Sequence, residues 1–500
     1  MAAAEGGAFL EYREPNIISI LTLISFFLFL AIAEWASDKI LRAGLIGQIV
    51  VGLIYGVPVG NILALEWQET FLALGYIGLI LIIFEGGLTI RLDLLRQNFV
   101  LSVVAALLGL LTPIALSFAL LYAGFGHGAI ESFIVGTALC STSLGTTFVV
   151  INSASKDVDF SQTRVGTVLI SAAILDDVCG LVLVSVIHQL RGLADSDGSL
   201  GWIIGRPILA SGLLAILTPL ISKFVLGPAF RGFCEARFAR LKHVSNILLM
   251  VLVLSAFLAI SAYAGASVLF GSFLAGTVLS SLPSRHSDGP FVVTSRKHGE
   301  ESLEKTPTFL HTFEKYILDV QRYVLQPLFF ASIGFSVPFL DMWMGEMIWK
   351  GIVFSILMVC GKLVVGICVP VWDLIASSKS MHSVEEPTAI TNWAPAALLG
   401  TAMVARGEIG LLIIQIGLNE TPYLSEKAFI IAIWAIVLNT IVGPMSVGIL
   451  LRKFGARIAN DSRWGTQAKD QALDAHRVGM SLNELPRSSS SAQHPRDGER

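Results

Sequence analysis

The chain has 500 residues, 54% of them hydrophobic and only 14% charged, with a formal net charge of −3 and a mean hydropathy of +0.73. A soluble protein carries roughly 25% charged residues, so a water-soluble globule is excluded, and no basic tract points to nucleic acid. The five cysteines, Cys140, Cys179, Cys234, Cys360 and Cys368, follow neither a disulfide framework nor a metal-ligand spacing.

Apolar blocks of about 20 residues are long enough to cross a bilayer, and hydropathy predicts about 13 of them. Before the first, Met1 to Pro15 has no basic stretch, and Glu5, Glu11 and Glu14 outnumber Arg13, so the block reads as a retained helix and not a signal peptide. The first seven segments are Asn16–Trp35, Ala43–Val57, Phe71–Ile90, Phe99–Gly124, Ser132–Ile151, Gly166–Leu190 and Ile203–Leu226. The rest are Val244–Ala264, Val268–Leu282, Val324–Leu340, Met347–Trp372, Trp393–Leu418 and Lys427–Leu451. Residues 1–451 therefore form the transmembrane domain. Residues 283–322 read as a hydrophilic cytoplasmic loop, and 452–500, ending in a polar low-complexity run, as a disordered cytoplasmic tail. Lys and Arg concentrate in the loops after odd-numbered segments, among them Lys39, Arg42, Arg91, Arg96, Lys156 and Arg164. This places the N-terminus outside and the C-terminus in the cytoplasm; which membrane is involved is not encoded.

An internal repeat runs through these segments. Gly136-Thr137-Ala138-Leu139 in the fifth matches Gly400-Thr401-Ala402-Met403 in the twelfth. Ile174-Leu175-Asp176-Asp177-Val178-Cys179-Gly180 in the sixth matches Val437-Leu438-Asn439-Thr440-Ile441-Val442-Gly443 in the thirteenth, at nearly the same offset. The partners are an odd number of helices apart, so the repeats run in opposite directions, as in many secondary transporters.

Charges at membrane depth are costly and tend to be functional. Asp176 and Asp177 sit mid-segment, and adjacent helical residues point about 100° apart, so the two acids face different surroundings. A structural acid pair is a poor choice because the two repel. Lys362, midway along the eleventh segment, needs a partner, and either aspartate supplies one; the bland alternative is a lysine reaching to an interface. Ser141-Thr142-Ser143, Gly145, Thr146 and Thr147 interrupt the fifth segment, and Arg406-Gly407-Glu408 interrupts the twelfth at nearly the matching place. Polar, glycine-containing breaks at matched positions mark broken helices around an ion site. Arg406 and Glu408 read as a structural pair bracing the break, with direct transport as the other possibility. Glu34, Lys350 and Asp373 read as interfacial, His188 as a rim residue, and Glu85 as either interfacial or buried.

Phe84-Glu85-Gly86-Gly87-Leu88, Thr142-Ser143, Leu175-Asp176-Asp177, Pro327 to Phe335, Gly361-Lys362 and Arg406-Gly407-Glu408, in this order, resemble the cation:proton antiporter superfamily, specifically its second branch of sodium/proton antiporters. The resemblance covers Asn16 to Leu451. It implies an all-α membrane fold of two inverted repeats with two crossing broken helices, a mobile core beside a dimerisation domain, and an elevator-like motion of a homodimer in the lipid bilayer. It implies that Asp177 is the ion-binding carboxylate, that Asp176 pairs with Lys362, and that Thr142 and Ser143 lie on the crossing. Lysine with two aspartates is similar to the electrogenic members. Cys140 and Ser141 depart from the pattern, which bears on cation selectivity.

The expected activity is exchange of a monovalent cation, sodium or potassium, for protons by competition at one carboxylate, with no cofactor. Rivals are proton-coupled transport of an organic anion, a cation channel and an intramembrane enzyme. No segment resembles a selectivity filter, and HExxH and GxSxG signatures are missing.

Overall fold

A computed structural model describes residues 12, 14–90, 98–143, 160, 163–191, 200–230, 232, 243–282, 308–379, 393–461 and 463–465. Every regular element among them is a helix. In hydrocarbon a segment must satisfy its own backbone N–H and C=O groups, and an α-helix does so within one stretch of chain.

The first helices are α1 (Ile17–Leu41), α2 (Gly44–Tyr55), α3 (Leu65–Thr89), α4 (Phe99–Ser117), α5 (Ala129–Ala138) and α6 (Arg164–Leu190). They are followed by α7 (Leu200–Ile221), α8 (His243–Ala264), α9 (Val268–Ser281), α10 (Phe309–Tyr316) and α11 (Gln326–Phe335). The chain closes with α12 (Gly345–Leu363), which continues through a 3₁₀ turn into α13 (Cys368–Lys379), then α14 (Trp393–Ala402), α15 (Glu408–Glu420) and α16 (Glu426–Ala459). Eight helices among the described residues are long and apolar enough to span a bilayer, and α2, α5 and α9 are shorter apolar helices. The segments expected from hydropathy fall on these helices, the eleventh over α12 and α13 and the twelfth over α14 and α15, while the second half of the fifth, with Gly145, Thr146 and Thr147, lies outside the described residues.

Beside a large apolar cluster that runs through α2, α3, α5, α6, α9, α11, α12, α15 and α16, two groups of helices share smaller ones. In one, α1, α2, α3 and α11 share an apolar cluster in which Phe26 stacks on Phe71 at 5.4 Å, while α3, α8, α9 and α10 share a second. Close approach in membranes rests on small residues; a Cβ on Gly276 of α9 would lie 2.3 Å from the Phe84 carbonyl of α3, so nothing larger fits. In the other group, α4, α6, α13, α14 and α16 pack around Val165, Val168, Val369, Leu398 and Val447. Between the groups, α3, α6, α11 and α15 surround a cavity of about 210 Å³ lined by Tyr76, His188, Phe329, Ser332, Gln415 and Glu420.

Two boundaries differ from the sequence reading. The hydrophilic stretch expected over 283–322 gives way at Thr308 to a helix whose hydroxyl caps the His311 N–H at 3.1 Å. Phe309 and Phe313, one turn apart, are buried against Phe84 and Phe230. The tail expected from 452 starts inside a helix. α16 runs 34 residues, to Ala459, and Trp464 beyond it is fully buried. Apolar faces spaced at helical periodicity within polar sequence account for the first difference, and a single large apolar residue for the second. Residues 283–307 and 466–500 lie outside the described residues.

Candidate functional site

The site forms where two helices lose their helical hydrogen bonds. α5 ends at Ala138 and α14 ends at Ala402, and these are equivalent positions of the sequence repeat. The extended residues that follow cross one another: the Ser143 N–H donates to the Ala405 carbonyl at 2.9 Å. The crossing is tight, since a Cβ on Gly407 would stand 2.6 Å from the Ser143 Cβ. Chain resumes helical form at Glu408, the first residue of α15.

α6 presents Asp176 to this crossing with no exposed surface. Its Oδ2 accepts from the Thr142 hydroxyl at 2.6 Å and from the Lys362 ammonium at 3.0 Å. Lys362, on α12, is equally buried and donates also to the Cys140 carbonyl and, at 2.9 Å, to the Thr142 hydroxyl. A lysine at this depth is therefore held by one carboxylate, one hydroxyl and one freed carbonyl. All three of its protons have acceptors, as a buried ammonium requires. The Met403 carbonyl lies 3.2 Å from the Thr142 hydroxyl, so one threonine touches both unwound stretches. Asp176 Oδ1 has no hydrogen-bond partner among the described residues.

The next residue faces elsewhere. Asp177 is partly exposed, hydrogen-bonds the Ser141 hydroxyl, and feels the charges of Glu408, Asp176 and Lys362. Among the described residues no cation forms an ion pair with it, whereas Asp176 has Lys362. The two adjacent carboxylates thus occupy chemically different places, one paired with Lys362 and closed in, one partly exposed and without an ion pair among the described residues.

Arg406 and Glu408 do not pair. Arg406, fully buried, donates through Nη1 to the Ser141 carbonyl at 3.0 Å, and the Cys140 carbonyl lies 3.5 Å away. A guanidinium against the carbonyl end of α5 is favoured because that end carries partial negative charge. Arg406 lies in the extended stretch whereas Glu408 opens α15, and the carboxylate acts electrostatically on Asp177 instead. Counting Asp176, Asp177 and Glu408 against Lys362 and Arg406 leaves the fully ionised centre one unit negative.

The second repeat supplies a residue that sequence reasoning aligned but gave no role. Thr440, the repeat partner of Asp177, has its hydroxyl 2.7 Å from the Ile436 carbonyl of its own helix and 3.1 Å from the Arg406 carbonyl, so it touches the second unwound stretch. Its neighbour Asn439 is buried and accepts from the Ser355 hydroxyl at 2.8 Å. The repeat register was the signal that points to both. The remaining charges sort as follows. Glu34 accepts from Gln48 and Glu85 from Gln321, at 2.9 and 2.6 Å. Lys350 bonds Glu346, and His188 meets Glu420 at 2.8 Å on the cavity rim. Asp373, expected at an interface, is buried.

Residues 23–453 match the family model described as "Sodium/hydrogen exchanger, transmembrane". The chain belongs to this family. The exchanger is 23% identical over 440 residues to the Na(+)/H(+)-K(+) antiporter GerN of Bacillus cereus, covering 86% of this chain and 95% of that one. It is 24% identical over 419 residues to a Na(+)/H(+) antiporter of Enterococcus hirae, covering 82% and 91%. Among solved structures, the sodium proton antiporter MjNhaP1 of Methanocaldococcus jannaschii superposes with a TM-score of 0.56 at 17% identity, covering 88% of the exchanger and 97% of that chain. The exchanger therefore has the sodium/proton antiporter fold, and it is an integral membrane protein that crosses the bilayer many times.

Proposed function

We propose that this exchanger moves sodium in one direction and protons in the other by alternating access, with Asp177 as the group that binds either ion. The observation that carries this is the division of labour between neighbours: Lys362 satisfies Asp176, while Asp177 stands partly exposed with no ion-pair partner among the described residues. A charged carboxylate at membrane depth is costly, and either a proton or a sodium ion relieves that cost. The two cannot occupy it together. If only loaded states cross, exchange is obligatory and needs no separate gate.

Oxygen ligands for a hard cation are at hand in the Ser141 hydroxyl and in the carbonyls freed around Ser143. Thr142 holds Asp176 and Lys362 in place and acts on the ion through them. Arg406 holds the first break open and Thr440 touches the second. The moving body is the group containing α4–α6 and α12–α16, working against the group containing α1–α3, α9 and α11 within a homodimer. Sodium is favoured by the relatives named Na(+)/H(+) antiporters; potassium is the second reading, because one relative is named for both cations. Proteoliposomes with an internal pH dye test the function: sodium added to acid-loaded vesicles collapses the gradient. A gradient untouched by sodium, lithium or potassium refutes it.

A further inference from the structure

The buried Trp464 stands against the N-terminal end of α6 and against α13, which continues α12. Asp461, just past α16, folds the chain back by accepting from the Arg463 and Trp464 N–H groups at 2.9 Å each. The Trp464 and Gly465 carbonyls then accept from the first N–H groups of α6, Val165 at 3.2 Å and Arg164 at 3.0 Å. Those N–H groups have no partner inside their own helix. The Trp464 indole N–H donates to Asp373 Oδ2 of α13 at 2.9 Å, Arg463 lies 3.7 Å from Asp373 Oδ1, and the Arg164 guanidinium sits 5.2 Å from the Trp464 ring centre.

This short segment therefore binds α6 and the α12–α13 helix at the same time. The same two helices meet a second time at the Asp176–Lys362 pair. Asp176 is 12 residues from Arg164 and Lys362 is 11 from Asp373, so the two ties lie about 16–18 Å apart along the helices at 1.5 Å per residue. Two ties fix both distance and rotation between rods, where one tie leaves them free to turn.

We propose that Asp461, Arg463, Trp464 and Gly465 form a clasp that sets the register of the aspartate helix against the lysine helix, making Trp464 and Asp373 positioning residues for cation binding. The proposal rests on the reading of Asp177 and Asp176–Lys362 as the transport site. Release of the clasp lets α6 rotate, which moves Asp177 relative to Ser141 and loosens Asp176 from Lys362. The consequence is weaker cation binding with little change in the rate of the loaded carrier.

The test compares full-length native, Trp464→Ala, Trp464→Phe and Asp373→Ala proteins in proteoliposomes, measuring apparent KM for sodium separately from kcat across pH. Losing a partner that orients a binding group typically weakens binding about tenfold or more. Trp464→Ala and Asp373→Ala are expected to raise KM by about that factor, to shift the pH profile, and to leave kcat within about twofold of native. Trp464→Phe keeps a ring in the pocket but loses the donor, so it falls between. Should the alanine variant fail to fold, the phenylalanine variant decides. A KM within about twofold of native in a folded variant, with only kcat or protein yield reduced, overturns the clasp. Asp177→Asn runs beside them: if it still exchanges sodium, the site reading fails whatever Trp464 does, and if it is inactive while the clasp variants keep native KM, the clasp alone fails.

Discussion

Replacing Lys362 by Met keeps the volume of the side chain and removes its charge. The ammonium serves three acceptors, the Cys140 carbonyl, the Thr142 hydroxyl and Asp176 Oδ2, and neither member of the ion pair has exposed surface. After substitution Asp176 keeps the Thr142 bond on Oδ2 and still has no partner on Oδ1 among the described residues. Breaking a buried pair from one side costs about 3–5 kcal/mol, because the remaining charge is uncompensated. Asp176→Asn strands the ammonium in the same way. The double variant strands neither charge, since an amide still accepts from Thr142, so it should lose about 2–4 kcal/mol less than the sum of the single losses. Unfolding of the purified proteins in mixed detergent micelles, followed as a function of the denaturing detergent fraction, measures this coupling. Additive losses, within about 0.5 kcal/mol, would refute the pairing as an energetic unit, however close the atoms stand.

Gly407→Ala should lower stability by about 1–3 kcal/mol, the usual cost of overpacking, because the added carbon meets the Ser143 Cβ at 2.6 Å; unchanged unfolding would mean the crossing is not closed in the membrane. Charge movement is a further expectation. With two aspartates and a lysine at the centre, a cycle that returns more protons than sodium ions carries net charge, and 100 mV is worth about 2.3 kcal/mol per charge. Sodium uptake into proteoliposomes at equal pH should follow the sign of a potassium/valinomycin potential, and indifference to that sign establishes electroneutral exchange.

The parts of the site that carry formal charge were legible in the sequence, because an acid or a lysine in mid-segment has few explanations. The repeat register added geometry: the matched positions Ala138 and Ala402 are the last residues of two interrupted helices. What hydropathy and spacing could not show were backbone groups. The Cys140 carbonyl takes bonds from both Lys362 and Arg406, and every residue type offers such a carbonyl, so no letter in the sequence marks it. The pairing expected between Arg406 and Glu408 came from their nearness in sequence, which is misleading where one lies in extended chain and the other opens a helix. Trp464 was missed for a different reason. A window average over Asp461, Arg463 and Gly465 reads as solvated tail, yet one indole in an apolar pocket and four backbone or side-chain hydrogen bonds suffice to dock it.

If Asp177 holds either a proton or a sodium ion, sodium binding must displace protons. Calorimetric titration of sodium into the purified exchanger, repeated in buffers of different ionisation enthalpy, counts the protons released on binding. The native protein should release protons as sodium binds, and its apparent affinity should fall as pH is lowered, while Asp177→Asn should show neither binding nor release. Sodium binding with proton release that survives in Asp177→Asn, and disappears instead in Glu408→Gln, would contradict the assignment and move the site across the break to α15.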